Sequence, residues 1–143
     1  MEYKSSGEKD TYAFALNFAK KIEKGCVLGL IGDLGAGKTV FVQGLAKGLG
    51  VEQHITSPTF VIMKVYDMPE REKLKKLVHV DAYRITSADD LVAIGVDEYF
   101  KREDTVVVIE WAEEIKKILP TKTRFITINI ENGNNRLISF DNQ

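Results

Sequence analysis

Residues 31–39 read Ile31-Gly32-Asp33-Leu34-Gly35-Ala36-Gly37-Lys38-Thr39, and from Gly32 to Thr39 they satisfy the spacing G-x-x-x-x-G-K-[ST]. The run before the loop, CVLGLI (residues 26–31), is short and nearly free of polar atoms, so it reads as a buried strand. The run after it, KTVFVQGLAKGLG (residues 38–50), resumes helical spacing through Val42, Leu45 and Leu49 and ends in Gly50. Strand, glycine loop and helix in that order form the context that a phosphate-binding loop requires. Gly32, Gly35 and Gly37 open backbone conformations closed to residues with a Cβ. Amides along Asp33, Leu34, Gly35, Ala36, Gly37, Lys38, Thr39 and Val40 would then turn inward on phosphate oxygens, where the helix dipole also favours negative charge. Lys38 would reach the β- and γ-phosphates, and the Thr39 hydroxyl would coordinate Mg2+.

Such a site needs an acid for the metal at the tip of a neighbouring strand. TVVVIE ends in Glu110 and KLVHVD ends in Asp81, each after an apolar run. A carboxylate at the end of a buried strand is costly unless it is paired, solvated or bound to metal. Glu110 is the better metal partner, directly or through water, because its strand is the most β-branched run and reads as the parallel centre of a sheet. Asp81 would complete the metal shell or orient the attacking water.

The remaining elements follow from spacing. DTYAFALNFAKKI (residues 10–22) is an apolar-faced helix capped by Asp10 or Thr11 and ended by Gly25. TFVIMKVYDM and KLVHVDAYRI, joined by the charged PEREKLK, read as an antiparallel pair. Alternation would put His79, Asp81 and Tyr83 on one face. Ser87 and Asp90 stand at capping-box spacing before a short helix, and WAEEIKKILP reads as a helix closed by Pro120. RFITINI and RLISF flank ENGNN, whose Asn-Gly signals a hairpin. The order predicts an α/β sandwich of the P-loop NTPase kind, a mixed sheet with a parallel core and antiparallel hairpins at its edges.

With 143 residues, 44% of them hydrophobic, the chain has room for one domain, residues 1–143, with a full core. A net charge of -1, from 20 basic and 21 acidic residues, disfavours a protein that clamps nucleic acid mainly through phosphates. The lone Cys26, inside an apolar run, reads as a small buried hydrophobe in a reducing compartment. The N-terminus shows no secretory h-region and no run is long enough to span a bilayer, so a cytoplasmic protein without a membrane partner is expected.

Asn-Lys-x-Asp, the guanine reader, is absent, as is a Leu-Ser-Gly-Gly-Gln signature, and the five Arg residues are scattered rather than gathered in a kinase lid. A small-molecule kinase and a nucleotide-sensing binding module both remain open on these residues alone. GDLGAGKT, TSPTF, HVDAYRI and VVVIEWAE, in this order and spacing, resemble the TsaE (YjeE) family of small bacterial ATPases from about Thr11 to Arg136. The resemblance implies an ATP- and Mg2+-dependent protein with weak intrinsic hydrolysis. It implies a role in threonylcarbamoylation of adenosine 37 in ANN-decoding tRNAs, together with TsaB and TsaD, with tRNA met through that complex. It also implies that Thr59 belongs to a switch-like loop, that Asp81 is needed for hydrolysis and that Glu110 holds Mg2+. On the same grounds Trp111, Thr11 and Arg136 lie near the nucleotide, and His79 matches the second motif without an assigned role.

Overall fold

Two apolar hexapeptides make the middle of the sheet. In the computed structural model, which describes residues 1–56, 63–83, 85 and 87–141, these are strands β2 (Cys26–Ile31) and β5 (Thr105–Glu110), paired in parallel from Cys26–Val106 to Leu30–Glu110. The other strands are β1 (Glu2–Ser5), β3 (Met63–Asp67), β4 (Lys76–Asp81), β6 (Arg124–Ile130) and β7 (Arg136–Phe140). They form one sheet in the order β1-β7-β6-β2-β5-β4-β3. The pairs β6·β2, β2·β5 and β5·β4 are parallel, whereas β1·β7, β7·β6 and β4·β3 are antiparallel. The expected parallel core with antiparallel edges is therefore the observed architecture.

Helices cover both faces. On one, α1 (Glu8–Lys20) and α2 (Lys38–Leu49) pack Ala15, Ala19, Phe41, Val42 and Leu45 against Leu28, Leu30, Val106 and Val108. Full burial of a side chain such as Phe41 contributes about 1.5–3 kcal/mol. On the other, α3 (Ala88–Ala93), α4 (Val96–Phe100) and a 3-10 segment (Ala112–Ile118) pack Leu91, Val96, Ala112 and Ile115 over Val27, Val78, Val80, Val107 and Ile109. No helix among the described residues is long and apolar enough to cross a membrane.

Several local expectations are corrected. β1 was not visible in the sequence, because EYKS has no apolar alternation; its partner β7 creates it, from Glu2–Ser139 to Ser5–Arg136. α1 starts at Glu8 with Gly7 at its cap position, and the Asp10 carboxylate instead accepts from Tyr3 Oη (2.6 Å) and Ser6 N (2.9 Å). Those two bonds hold Asp10 below the usual carboxylate range. α1 stops at Lys20, so Gly25 does not end it; a Cβ there would lie 2.3 Å from the Arg102 carbonyl, which is why glycine is needed. The stretch 87–100 is two helices parted at Gly95 (φ 86°), with Ser87 Oγ accepting from Asp89 N at 3.1 Å. WAEEIKKILP is not a regular α-helix but 3-10 turns with a non-helical Ile115, preceded by Trp111 in the left-handed region. β4 ends at Asp81, so alternation places His79 and Asp81 on one face but not Tyr83.

The α1–α2 contact has a steric condition. A Cβ on Gly48 would stand 2.3 Å from the Leu16 carbonyl, and one on Gly44 at the same distance from the Tyr12 carbonyl. Alanine in a helix interior normally gains about 1 kcal/mol over glycine. Overpacking against backbone costs about 1–3 kcal/mol and should win here. Gly48→Ala is thus expected to lower the urea midpoint; a higher midpoint would show that the helices separate freely.

Cys26 is only half-buried at the edge of the core, yet burial pushes its thiol up to about 11, against the opposing Arg124 charge. At pH 8 its alkylation by iodoacetamide should be far slower than in the urea-unfolded chain. Because the folded value lies above the ordinary 9.0, the stabilisation from the protonated thiol is complete below pH 9. It declines as pH rises toward 11, so the urea midpoint should fall across that window.

Candidate functional site

The carboxyl ends of β2, β5 and β4 lie side by side, with Asp81 and Glu110 in direct register, and the glycine loop leaves β2 at this edge. This is where open α/β sheets place ligands. Gly35 (φ 83°) and Gly37 (φ 105°) need glycine for their backbone conformation, and nothing would touch a Cβ at either. Gly32 needs it for a different reason: a Cβ would press on the Ile128 carbonyl at 2.5 Å. Asp33 and Leu34 form the exposed crest, while Ala36 is buried and donates its N–H to the Asp33 carbonyl at 3.0 Å.

Lys38, the first residue of α2, is 5% exposed. Its Nζ donates to the Gly32 and Asp33 carbonyls and stands 3.9 Å from the Trp111 ring centroid. Burial lowers its pKa; the carboxylates of Glu110, Glu113, Asp33 and Asp81 oppose that shift. Thr39 Oγ1 donates to Glu110 Oε1 at 2.9 Å, joining the loop helix to the tip of β5. The second Glu110 oxygen lies 2.6 Å from His79 Nε2, and both side chains are almost wholly buried. Asp81 Oδ1 accepts from Tyr83 N at 3.0 Å, and the Tyr83 ring packs on Trp111 with centroids 4.7 Å apart. Trp111 has φ 60°, the single non-glycine residue with positive φ among the described residues. A bulky residue held there marks strain that surrounding contacts must outweigh.

A second group of expected residues meets on the other side of the loop. Thr11, Gly35, Ala36, Gly37, Val40 and Arg136 line one cleft of about 540 Å³. Arg136 donates from Nε to the Ala36 carbonyl and from Nη2 to the Gly35 carbonyl, each at 3.2 Å. Because C=O and N–H of one peptide unit point in opposite directions, this hold turns the Gly37 N–H away from Arg136. Thr11 is buried in the cleft wall with its hydroxyl 2.7 Å from Ser5 Oγ. Thr59, with Ser57, Pro58 and Phe60 of the Ser-Pro-Thr motif, and Arg84 lie outside the described residues.

Two site residues escaped the sequence reading. The sequence motif assigns His79 no role, although its place two residues before Asp81 on one face is the available signal. Glu113, at the start of the 3-10 segment, has Oε1 buried without a hydrogen-bond partner among the described residues. Burial pushes its carboxyl up, with the Lys38 charge pulling the other way. Its burial depends on the turn after β5, which no local pattern foretells.

The fold and the strand–loop–helix edge define a P-loop NTPase-like α/β sandwich. Comparison with known proteins narrows this: the profile of the family described as "Threonylcarbamoyl adenosine biosynthesis protein TsaE" matches residues 5–138. This chain belongs to the TsaE family. It is 38% identical to the tRNA threonylcarbamoyladenosine biosynthesis protein TsaE of Treponema pallidum over 135 residues, covering 94% of this chain and 96% of that one. It is 37% identical to the Bacillus subtilis protein of the same name over 140 residues, covering 98% and 84%. The crystal structure of Bacillus subtilis YdiB superposes with a TM-score of 0.79 at 34% identity, covering 98% of this chain and 83% of that one.

The Trp111 conformation yields a prediction. Left-handed φ costs a residue with a Cβ about 1–2 kcal/mol, so Trp111→Gly should be more stable than Trp111→Ala by roughly that amount in urea titrations. Equal midpoints would show that the turn relaxes once the ring is gone.

Proposed function

We propose that this chain binds ATP with Mg2+ on the glycine loop, hydrolyses it slowly alone, and supports threonylcarbamoyl modification of adenosine 37 in ANN-decoding tRNAs with TsaB and TsaD. The observation that carries this reading is the Thr39–Glu110 hydrogen bond at 2.9 Å, made inside a TsaE-family chain. It ties the loop hydroxyl to the acid of a central parallel strand, the two protein groups that a nucleotide-bound metal needs.

The donor set suits Mg2+. Among the described residues no three His, Cys, Asp or Glu side chains gather into a metal cage. Mg2+ with a nucleotide commonly takes one or two carboxylates and completes its octahedron from phosphate oxygens and water. Thr39 and Glu110 would hold it, and when bound it would neutralise charge on the phosphates. Thr39 gives its hydroxyl proton to Glu110, which leaves its oxygen lone pairs for a cation. Lys38 would exchange the Gly32 and Asp33 carbonyls for phosphate oxygens, whose negative charge would favour the protonated amine that burial disfavours. We assign water orientation to Asp81, one strand over and in register with Glu110. The cleft holding Thr11, Val40 and Arg136 would take the nucleoside end.

The net charge of -1 supports a division of labour in which the partners hold the tRNA. The same reading puts the protein in the cytoplasm, where its tRNA substrates are.

ATP hydrolysis measured with and without purified TsaB and TsaD tests the proposal. Turnover should rise with the partners, and inorganic phosphate should be the γ-phosphate product; absence of both stimulation and association would remove the partner role. Lys38→Ala should abolish measurable nucleotide binding. Glu110→Ala and Asp81→Ala should lower kcat by about a hundredfold while the nucleotide Kd in the presence of Mg2+ changes far less for Asp81→Ala.

A further inference from the structure

Glu110 takes two hydrogen bonds from donors of different kinds. Thr39 Oγ1 approaches Oε1 at 2.9 Å from the first turn of α2. His79 Nε2 faces Oε2 at 2.6 Å from within β4, and its ring is fully buried. In the parallel register His79 stands opposite Val108 while Asp81 stands opposite Glu110, so the imidazole lies one pleat behind the carboxylate on the same face. His79 Nδ1 is buried with no hydrogen-bond partner among the described residues. A proton on that nitrogen would leave a buried N–H unmade, so the network assigns the proton to Nε2 and makes His79 the donor to Oε2. Leucine or methionine would fill this core position without an unsatisfied nitrogen. Packing alone therefore does not account for histidine; the bond to Glu110 does.

We infer that His79 is a positioning residue for the Glu110 carboxylate. It holds Oε2, which keeps Oε1 on Thr39 and so commits the Thr39 hydroxyl proton to Glu110 before any cation arrives. The terminal torsion of a glutamate is broad, so without this hold the carboxylate plane swings and its oxygen leaves the Thr39 hydroxyl more readily. The inference rests on the proposed reading of the site as one for Mg2+ with a nucleotide. Partners that orient a metal-side ligand contribute about 10–100-fold to metal affinity.

The test compares two amides at one position. His79→Gln extends an N–H donor to about the place of Nε2, whereas His79→Asn puts the same amide near Nδ1, short of Glu110. Binding of fluorescent mant-ADP to each full-length protein is titrated with Mg2+ and with a chelator. The ratio of the two Kd values measures how far Mg2+ tightens binding. His79→Asn should reduce that ratio about tenfold with the chelator Kd unchanged, and His79→Gln should restore it close to wild type. Should His79→Asn melt below the assay temperature, His79→Met, which fills the core with no donor, is held to the same expectation. Equal ratios in wild type and the donorless variant overturn the positioning role alone, as do equal losses in the asparagine and glutamine variants. A wild-type protein that binds no mant-ADP, or binds it indifferently to Mg2+, overturns the nucleotide reading and the positioning role with it.

Discussion

Everything at the functional edge depends on one carboxylate kept out of water. Glu110 is 3% exposed at the end of a strand whose other five residues are also buried. An ionised group in that position is tolerated only when donors replace its water. Here the donors come from Thr39 and His79, 71 and 31 residues away in sequence. Only the parallel arrangement of β4, β5 and β2, with α2 springing from the end of β2, brings all three together. The bond to Thr39 thus fixes the height of the loop helix against the sheet, and with it the place of the whole glycine loop.

Around that anchor the loop is preorganised by cations on its carbonyls. Lys38 satisfies Gly32 and Asp33 from within, and Arg136 satisfies Gly35 and Ala36 from the last hairpin. Each carbonyl drawn to a cation leaves the N–H of its own peptide unit facing the opposite way, so the loop's polarity is largely set by Lys38 and Arg136. Trp111 adds to this arrangement: its strained backbone puts the ring against both Lys38 and Tyr83, linking the lysine to the segment after β4. The lysine is held by two backbone carbonyls and an aromatic face, whereas Glu110 is held by two side chains.

Much of this was legible in residues. The glycine loop, the two core hexapeptides, the Asn-Gly hairpin and the two strand-tip acids follow from spacing and polarity, and each lies where it was expected. Less legible were features made by partners. β1 is a strand because β7 offers an edge, Gly32 and Gly25 are glycines because distant carbonyls crowd them, and Arg136 reaches back 100 residues to Ala36. WAEEIKKILP has a helix-like pattern, yet it is drawn into 3-10 turns where Ala112 lies over the bare surface of Gly29, whose added Cβ would stand 2.9 Å from it.

Local chemistry was enough to predict a phosphate-type loop and to nominate Asp81 and Glu110, because glycine conformation, helix dipoles and the cost of a buried charge act within a few residues. It could not rank those acids' partners. Strand order and register decided that Glu110 meets Thr39, that Asp81 stands beside it, and that His79 closes the second carboxylate oxygen. Those contacts are pairings between segments distant along the chain. Their geometry comes from sheet register and helix packing, which depend on the whole core at once rather than on any one stretch of residues.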